Sequence, residues 1–171
     1  MSGFKSTKRG VVVTLESGEV ELLENLVGQV RAVLTGGVPE HGSDPVRDRL
    51  FPRAYVDPTE DRAERDFQSV VHEDLVLAKS AAIEALVAGL DGGRTKRGTT
   101  EVTLDREGME QWLAALNDVR LAFGAALGIT EDRDPFEELP DDDPRAGGLA
   151  VLDWLGYLQS ELLDVMMETM E

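Results

Sequence analysis

The sequence predicts a mainly α fold: a bundle of about five helices with a small antiparallel β-sheet drawn from residues 4-7, 11-15 and 101-104. Three observations carry this reading. Apolar residues recur at spacings of three and four through several long stretches. Short β-branched runs occur near residues 11 and 101, and glycine pairs or an acid-rich break separate the periodic stretches. At 171 residues the chain fits one domain, residues 1-171, and can bury a core without disulfides.

The elements follow in order. Val11 to Leu15 is a β-branched run, and Lys8-Arg9-Gly10 before it suits a tight turn back from a short strand around Phe4. From Ser17 the period changes, and Val20, Leu23, Val27, Val30 and Leu34 form a helical stripe that stops at Gly36-Gly37. Gly37 to Asp44 reads as loop, and Asp44-Pro45 opens a short helix through Leu50. Asp57-Pro58-Thr59-Glu60 has the cap, first-turn proline and third-position acid of a capping box. The helical region after it is thinly apolar to Val71 and densely apolar from Leu75 to Leu90, which predicts a break near His72-Glu73-Asp74 with Asp74 capping the second half.

Glu101 to Leu104 is the next strand. Its Val102-Thr103-Leu104-Asp105 echoes Val13-Thr14-Leu15-Glu16, and each phrase leads into a helix. Since a lone hairpin is marginal in water, the two runs are expected to pair, bringing the basic loops beside them within reach of each other. Met109, Trp112, Leu116, Val119, Phe123 and Leu127 then mark the surest helix, closed by Gly128 and Ile129 as a glycine C-cap. Residues 130-145 are acid-rich with three prolines and read as a flexible loop. The last helix runs from about Ala146 to Met167, with Val151, Leu155, Leu158, Leu162 and Val165 on one stripe and Trp154 and Tyr157 on another. A helix apolar on two faces either sits centrally or lends one face to a partner, so Trp154, Tyr157, Met166 and Met167 are candidate partner contacts.

Composition excludes whole classes of chemistry. The chain has no cysteine, so disulfides, thiolate metal sites and cysteine nucleophiles are out. No signal-peptide pattern or membrane-length apolar run is visible, which predicts a cytoplasmic protein. Seventeen Lys and Arg against 34 Asp and Glu give a net charge of -17. Lys5, Lys8, Arg9, Arg94, Lys96 and Arg97 form a candidate basic patch, and the remainder of the chain carries 11 bases against 34 acids. A patch of six is enough for phosphate contacts, but the surrounding field opposes nucleic acid, so only weak, sequence-independent binding is expected.

Other sites are unpromising. Gly93 to Thr100 only faintly resembles a phosphate loop, because no Lys follows the second Gly and a strand, not a helix, comes next. His41 and His72 lack metal-ligand spacing, and Asp141-Asp142-Asp143 lacks the spacing of a calcium loop. No cofactor and no catalytic residue is indicated. The polar residues Asn117, Asp118 and Arg120 in the surest helix are the exception. Arg120 lies at the edge of the apolar seam, so the expectation is a buried network of Asn117 and Arg120 with Asp153 or Glu161 of the last helix, and the alternative is a ligand or enzyme pocket at the same place.

Three segments, DLVLAKSAAIEAL from Asp74 to Leu86, WLAALNDVRLAFGAALGITED from Trp112 to Asp132 and LDWLGYLQSELL from Leu152 to Leu163, together resemble the actinobacterial domain-of-unknown-function family of AosR-like oxidative-stress transcriptional regulators. The resemblance covers nearly the whole chain. It implies a non-enzymatic, cytosolic regulator that contacts a sigma factor or another protein; the surplus apolar face of the last helix would be met equally by a second copy of the chain. The family's redox sensing is attributed to a cysteine pair, and this chain has none. A thiol switch is therefore excluded, and Met166, Met167 and Met170 are the oxidisable residues left in the last helix.

Overall fold

A computed structural model describes residues 2-36, 44-52, 54, 57-129 and 139-170. His41 and the loop expected at 37-43 lie outside the described residues, as does the part of the acidic stretch from 130 to 138. The elements are strands β1 (Gly3–Thr7) and β2 (Gly10–Glu16), helices α1 (Ser17–Thr35), α2 (Pro45–Leu50) and α3 (Asp61–Asp91), strands β3 (Arg94–Lys96) and β4 (Thr99–Leu104), and helices α4 (Arg106–Ala126) and α5 (Ala146–Thr169). Among the described residues, five α-helices and one small antiparallel sheet match the predicted class.

The sheet runs in the order β1-β2-β4-β3. The expected pairing of the two β-branched runs is present, with Val11 opposite Leu104 and Val13 opposite Val102. Val11, Val13, Leu15, Val102 and Leu104 alternate inward and are buried. Gly10 allows the close crossing at the β1-β2 turn. Its φ is +126°, and a Cβ there would collide with the Leu104 carbonyl oxygen.

β3 was not anticipated. The basic segment, expected to be a loop, instead forms a hairpin with β4, Arg94 opposite Glu101 and Lys96 opposite Thr99. Arg97 and Gly98, at φ +53° and +80°, make the two-residue turn, as expected where both central residues need positive φ. Ser17 ties this turn to α1 through its amide and its hydroxyl, each 2.9 Å from the Gly98 carbonyl oxygen.

Helix α1 begins with a capping box: the Glu16 amide donates to Glu19 Oε2 at 2.8 Å, and the Glu16 side chain accepts from the Glu19 amide. Asp44 caps α2, and Asp57 caps a single 3-10 turn, Pro58–Glu60, that leads into α3. The predicted break at His72-Glu73-Asp74 is absent, and α3 is one continuous helix of 31 residues. Its first half contains no glycine or proline, so nothing interrupts the backbone hydrogen-bond ladder and the chain stays helical where its apolar period thins. Helix α4 ends as expected, with Gly128 at φ +71° and the Ile129 amide donating to the Gly124 carbonyl at 3.0 Å.

Helix α4 lies at the centre and packs against α2, α3 and α5, with α1 alongside. Trp112, Leu116 and Val119 from α4 meet Leu23 and Val27 from α1, Ile83 and Leu86 from α3, and Leu155, Leu158 and Leu162 from α5 in one core. Helix α5 also lies against β1.

Candidate interaction surfaces

The polar residues of α4 are arranged differently from the expectation. Asp118 is the buried one, Asn117 is half-buried and Arg120 is exposed. The buried face of α4 includes Ala115 and Ala122 as well as Trp112, Leu116 and Val119. Counting these alanines rotates the face toward Asp118, which lies three residues after Ala115 and four before Ala122, and turns Arg120 outward.

The partner of Asp118 is Lys79 of α3, with Nζ to Oδ1 at 2.8 Å and side chains only 20% and 7% exposed. Lys79 precedes Ile83 and Leu86 by four and seven residues and so shares their stripe. A lone lysine in an apolar stripe was the sequence signal for this pair. Arg120 has no described hydrogen bond or ion pair to Asp153, which is exposed, or to Glu161, and its Nη1 instead lies beside Gly156. Asn117 does join α4 to α5, accepting at Oδ1 from Gln159 Nε2 at 3.2 Å.

On α5, Trp154 is only partly exposed and its Nε1 donates to Glu19 Oε1 at 3.0 Å. Trp154 is thus bound into the fold. Tyr157 is exposed, and its hydroxyl is shifted to higher pKa by lost hydration, then by the neighbouring Glu161 carboxylate. Met166 packs partly into the core and lines a groove of about 410 Å³ with Thr7, Arg9, Met109 and Met170. Met170 is exposed at its rim, and Leu163 and Met167 stand exposed beyond it.

The two basic turns do not meet. Because β2 and β4 are antiparallel, Lys8 and Arg9 lie at the Val11 end of the sheet and Arg97 at the Glu16 end. The register places Lys5 opposite Val12, Arg94 opposite Glu101 and Lys96 opposite Thr99, so these three bases share the outer face of the sheet. Glu16 and Glu101 interrupt them.

Besides Tyr157 and Met167, the structure exposes apolar side chains on α3, where the sequence offered no candidate. Val70 is 75% exposed and Leu77 63%, with Phe67 and Leu75 also on the surface of the first half of α3. On the other side of this half, α2 leaves a cleft of about 730 Å³ lined by Arg47, Phe51, Glu64, Arg65, Gln68 and His72 among others. The Phe51 and His72 rings lie 4.8 Å apart, and the Arg47 guanidinium stands 5.5 Å over Phe51. Arg47 Nη2 is 3.3 Å from His72 Nε2. A guanidinium only donates, so His72 Nε2 accepts.

The DUF2017 domain of unknown function matches residues 1-166. The chain belongs to this family. A putative oxidative stress regulator AosR of Mycobacterium leprae is 28% identical over 180 residues, covering 88% of this chain and 80% of that protein. The oxidative stress regulator AosR of Mycobacterium bovis is 33% identical over 150 residues, covering 81% of this DUF2017 chain and 65% of that protein, and the Mycobacterium tuberculosis protein of the same name matches to the same extent. The chain therefore spans about two thirds of the length of the latter two relatives. No solved structure matches. Among the described residues, no helix is long and apolar enough to cross a membrane.

Proposed function

We propose that this chain is a non-enzymatic regulatory protein of the oxidative-stress response that acts in the cytoplasm by binding other proteins, a sigma factor being one fitting partner. The names of the relatives support the regulatory part. The protein-contact part rests on the exposure of Val70 and Leu77, joined by Leu163 and Met167 on α5. The polar groups that a pocket around Asn117 and Arg120 would need are otherwise placed. Asn117 bonds Gln159, Arg120 is exposed, and neither lines the cleft beside α2 or the groove beside Met166. The chain has no thiol, so in this reading the oxidant is sensed by the partner.

Complementation tests the reading. In a mycobacterial host lacking its own family member, the wild-type chain is expected to restore peroxide survival and the transcript response, and a Val70→Asp/Leu163→Asp variant at equal abundance is not. A wild type that changes neither readout, or a variant that restores both fully, would overturn it.

A further inference from the structure

Helix α3 carries a second seam on the side away from the core. Ala63, Phe67, Val70, Asp74, Leu77, Ala81 and Glu84 follow one another in alternating steps of four and three, the heptad spacing with which one helix receives another. The core-facing residues of the same helix, Lys79, Ile83, Leu86 and Leu90, occupy the opposite side. The outer seam is exposed from Phe67 to Ala81 at every one of its positions, and Glu84 at its end pairs with Arg31 of α1 at 2.8 Å. Asp74 lies in its middle, and the exposed acids Asp66 and Glu73 run along one border.

We infer that this seam docks a partner's amphipathic helix that has an apolar stripe, a Lys or Arg set opposite Asp74, and basic residues along the edge facing Asp66 and Glu73. The inference rests on the protein-contact reading above and names the partner's chemistry. An amphipathic helix suits this long, narrow apolar row, because its stripe can run alongside Phe67, Val70 and Leu77 together. The acids specify its charge, and the net charge of -17 favours the approach of a basic segment. A second copy fits poorly. Antiparallel pairing of two α3 seams would bring both Asp74 carboxylates together at the centre, with Asp66 and Glu73 adding like charge at the border.

The test uses the full chain and two labelled peptides of three heptads with identical leucine seams. One has lysine borders and a single seam lysine; the other has glutamate in those places. At physiological salt the lysine peptide is expected to bind at least about tenfold more tightly, and Val70→Asp or Leu77→Asp to weaken it by about tenfold or more. Ala114→Asp, on the exposed side of α4, should leave binding unchanged, and Asp74→Lys should shift preference toward the glutamate peptide. Circular dichroism confirms that each variant is folded. Absence of binding, equal binding of the two peptides, or insensitivity to Val70→Asp and Leu77→Asp would overturn the inference, as would a wild-type dimer that Leu77→Asp dissolves. None of these outcomes alters the complementation result, so the regulatory reading stands or falls separately.

Discussion

Glu19 holds Trp154 with one carboxylate oxygen while the other closes the capping box at the start of its own helix. One acid thus joins the beginning of α1 to the last helix, 135 positions away in the sequence. A hydrogen bond to a charged acceptor contributes roughly 1.5 to 3 kcal/mol, and partial solvent access reduces that here. Trp154→Phe, which keeps an aromatic ring and removes the donor, should cost about 1 kcal/mol in chemical denaturation. Glu19→Ala should cost more, because it removes the cap as well.

The Lys79–Asp118 pair should dominate the electrostatic part of stability. Removing one member strands the other, so Lys79→Met should lose about 3 kcal/mol, the lower end for buried pairs because Lys79 keeps some water. Lys79→Met/Asp118→Leu should recover most of that loss, and a double-mutant cycle measures it. Arg120→Ala, at an exposed position, should change stability by less than about 1 kcal/mol.

Gly89 of α3 faces the buried indole of Trp112, and a Cβ at Gly89 would lie 2.9 Å from its ring. Alanine normally favours a helix interior over glycine by about 1 kcal/mol. Here the ring cannot retreat within a packed core, so Gly89→Ala should lower the melting temperature, at a net cost of about 1 to 2 kcal/mol.

The Asp57 carboxyl is held below its ordinary pKa by the Thr59 amide and hydroxyl. A carboxyl with a depressed folded-state pKa contributes stability above its unfolded-state value, and that stability is lost as pH falls through the folded-state value. Thermal melts from pH 6 downward should therefore show a smaller acid loss for Asp57→Asn than for wild type in the carboxylate range, roughly pH 4 and below.

Much of the fold was legible because it rests on local pattern. The β2-β4 pairing, the α1 and α4 stripes and the Gly128 cap all follow from period and turn residues. Each miss has its own physical cause. Arg94 and Lys96 stand on the solvent face of an edge hairpin, where polar residues carry no strand signal, so β3 read as a turn. Asp118 was passed over because small alanines widen a buried face without marking it as apolar. The outer seam of α3 was obscured because its apolar residues interleave with core positions, so two faces merged into one diffuse period and suggested a break.

The most direct test of the central claim, that α3 presents its outer seam to a partner helix, is photocrosslinking. A benzophenone side chain is installed at Val70, at Leu77 or, as a reference, at Arg120, and the full chain is irradiated in mycobacterial lysate. One heterologous adduct is expected, shared by the Val70 and Leu77 probes and absent from the Arg120 probe, with the crosslinked peptide mapping to an amphipathic segment bordered by Lys or Arg. Adducts formed equally at Arg120, adducts only between copies of this chain, or none at Val70 and Leu77 would contradict it.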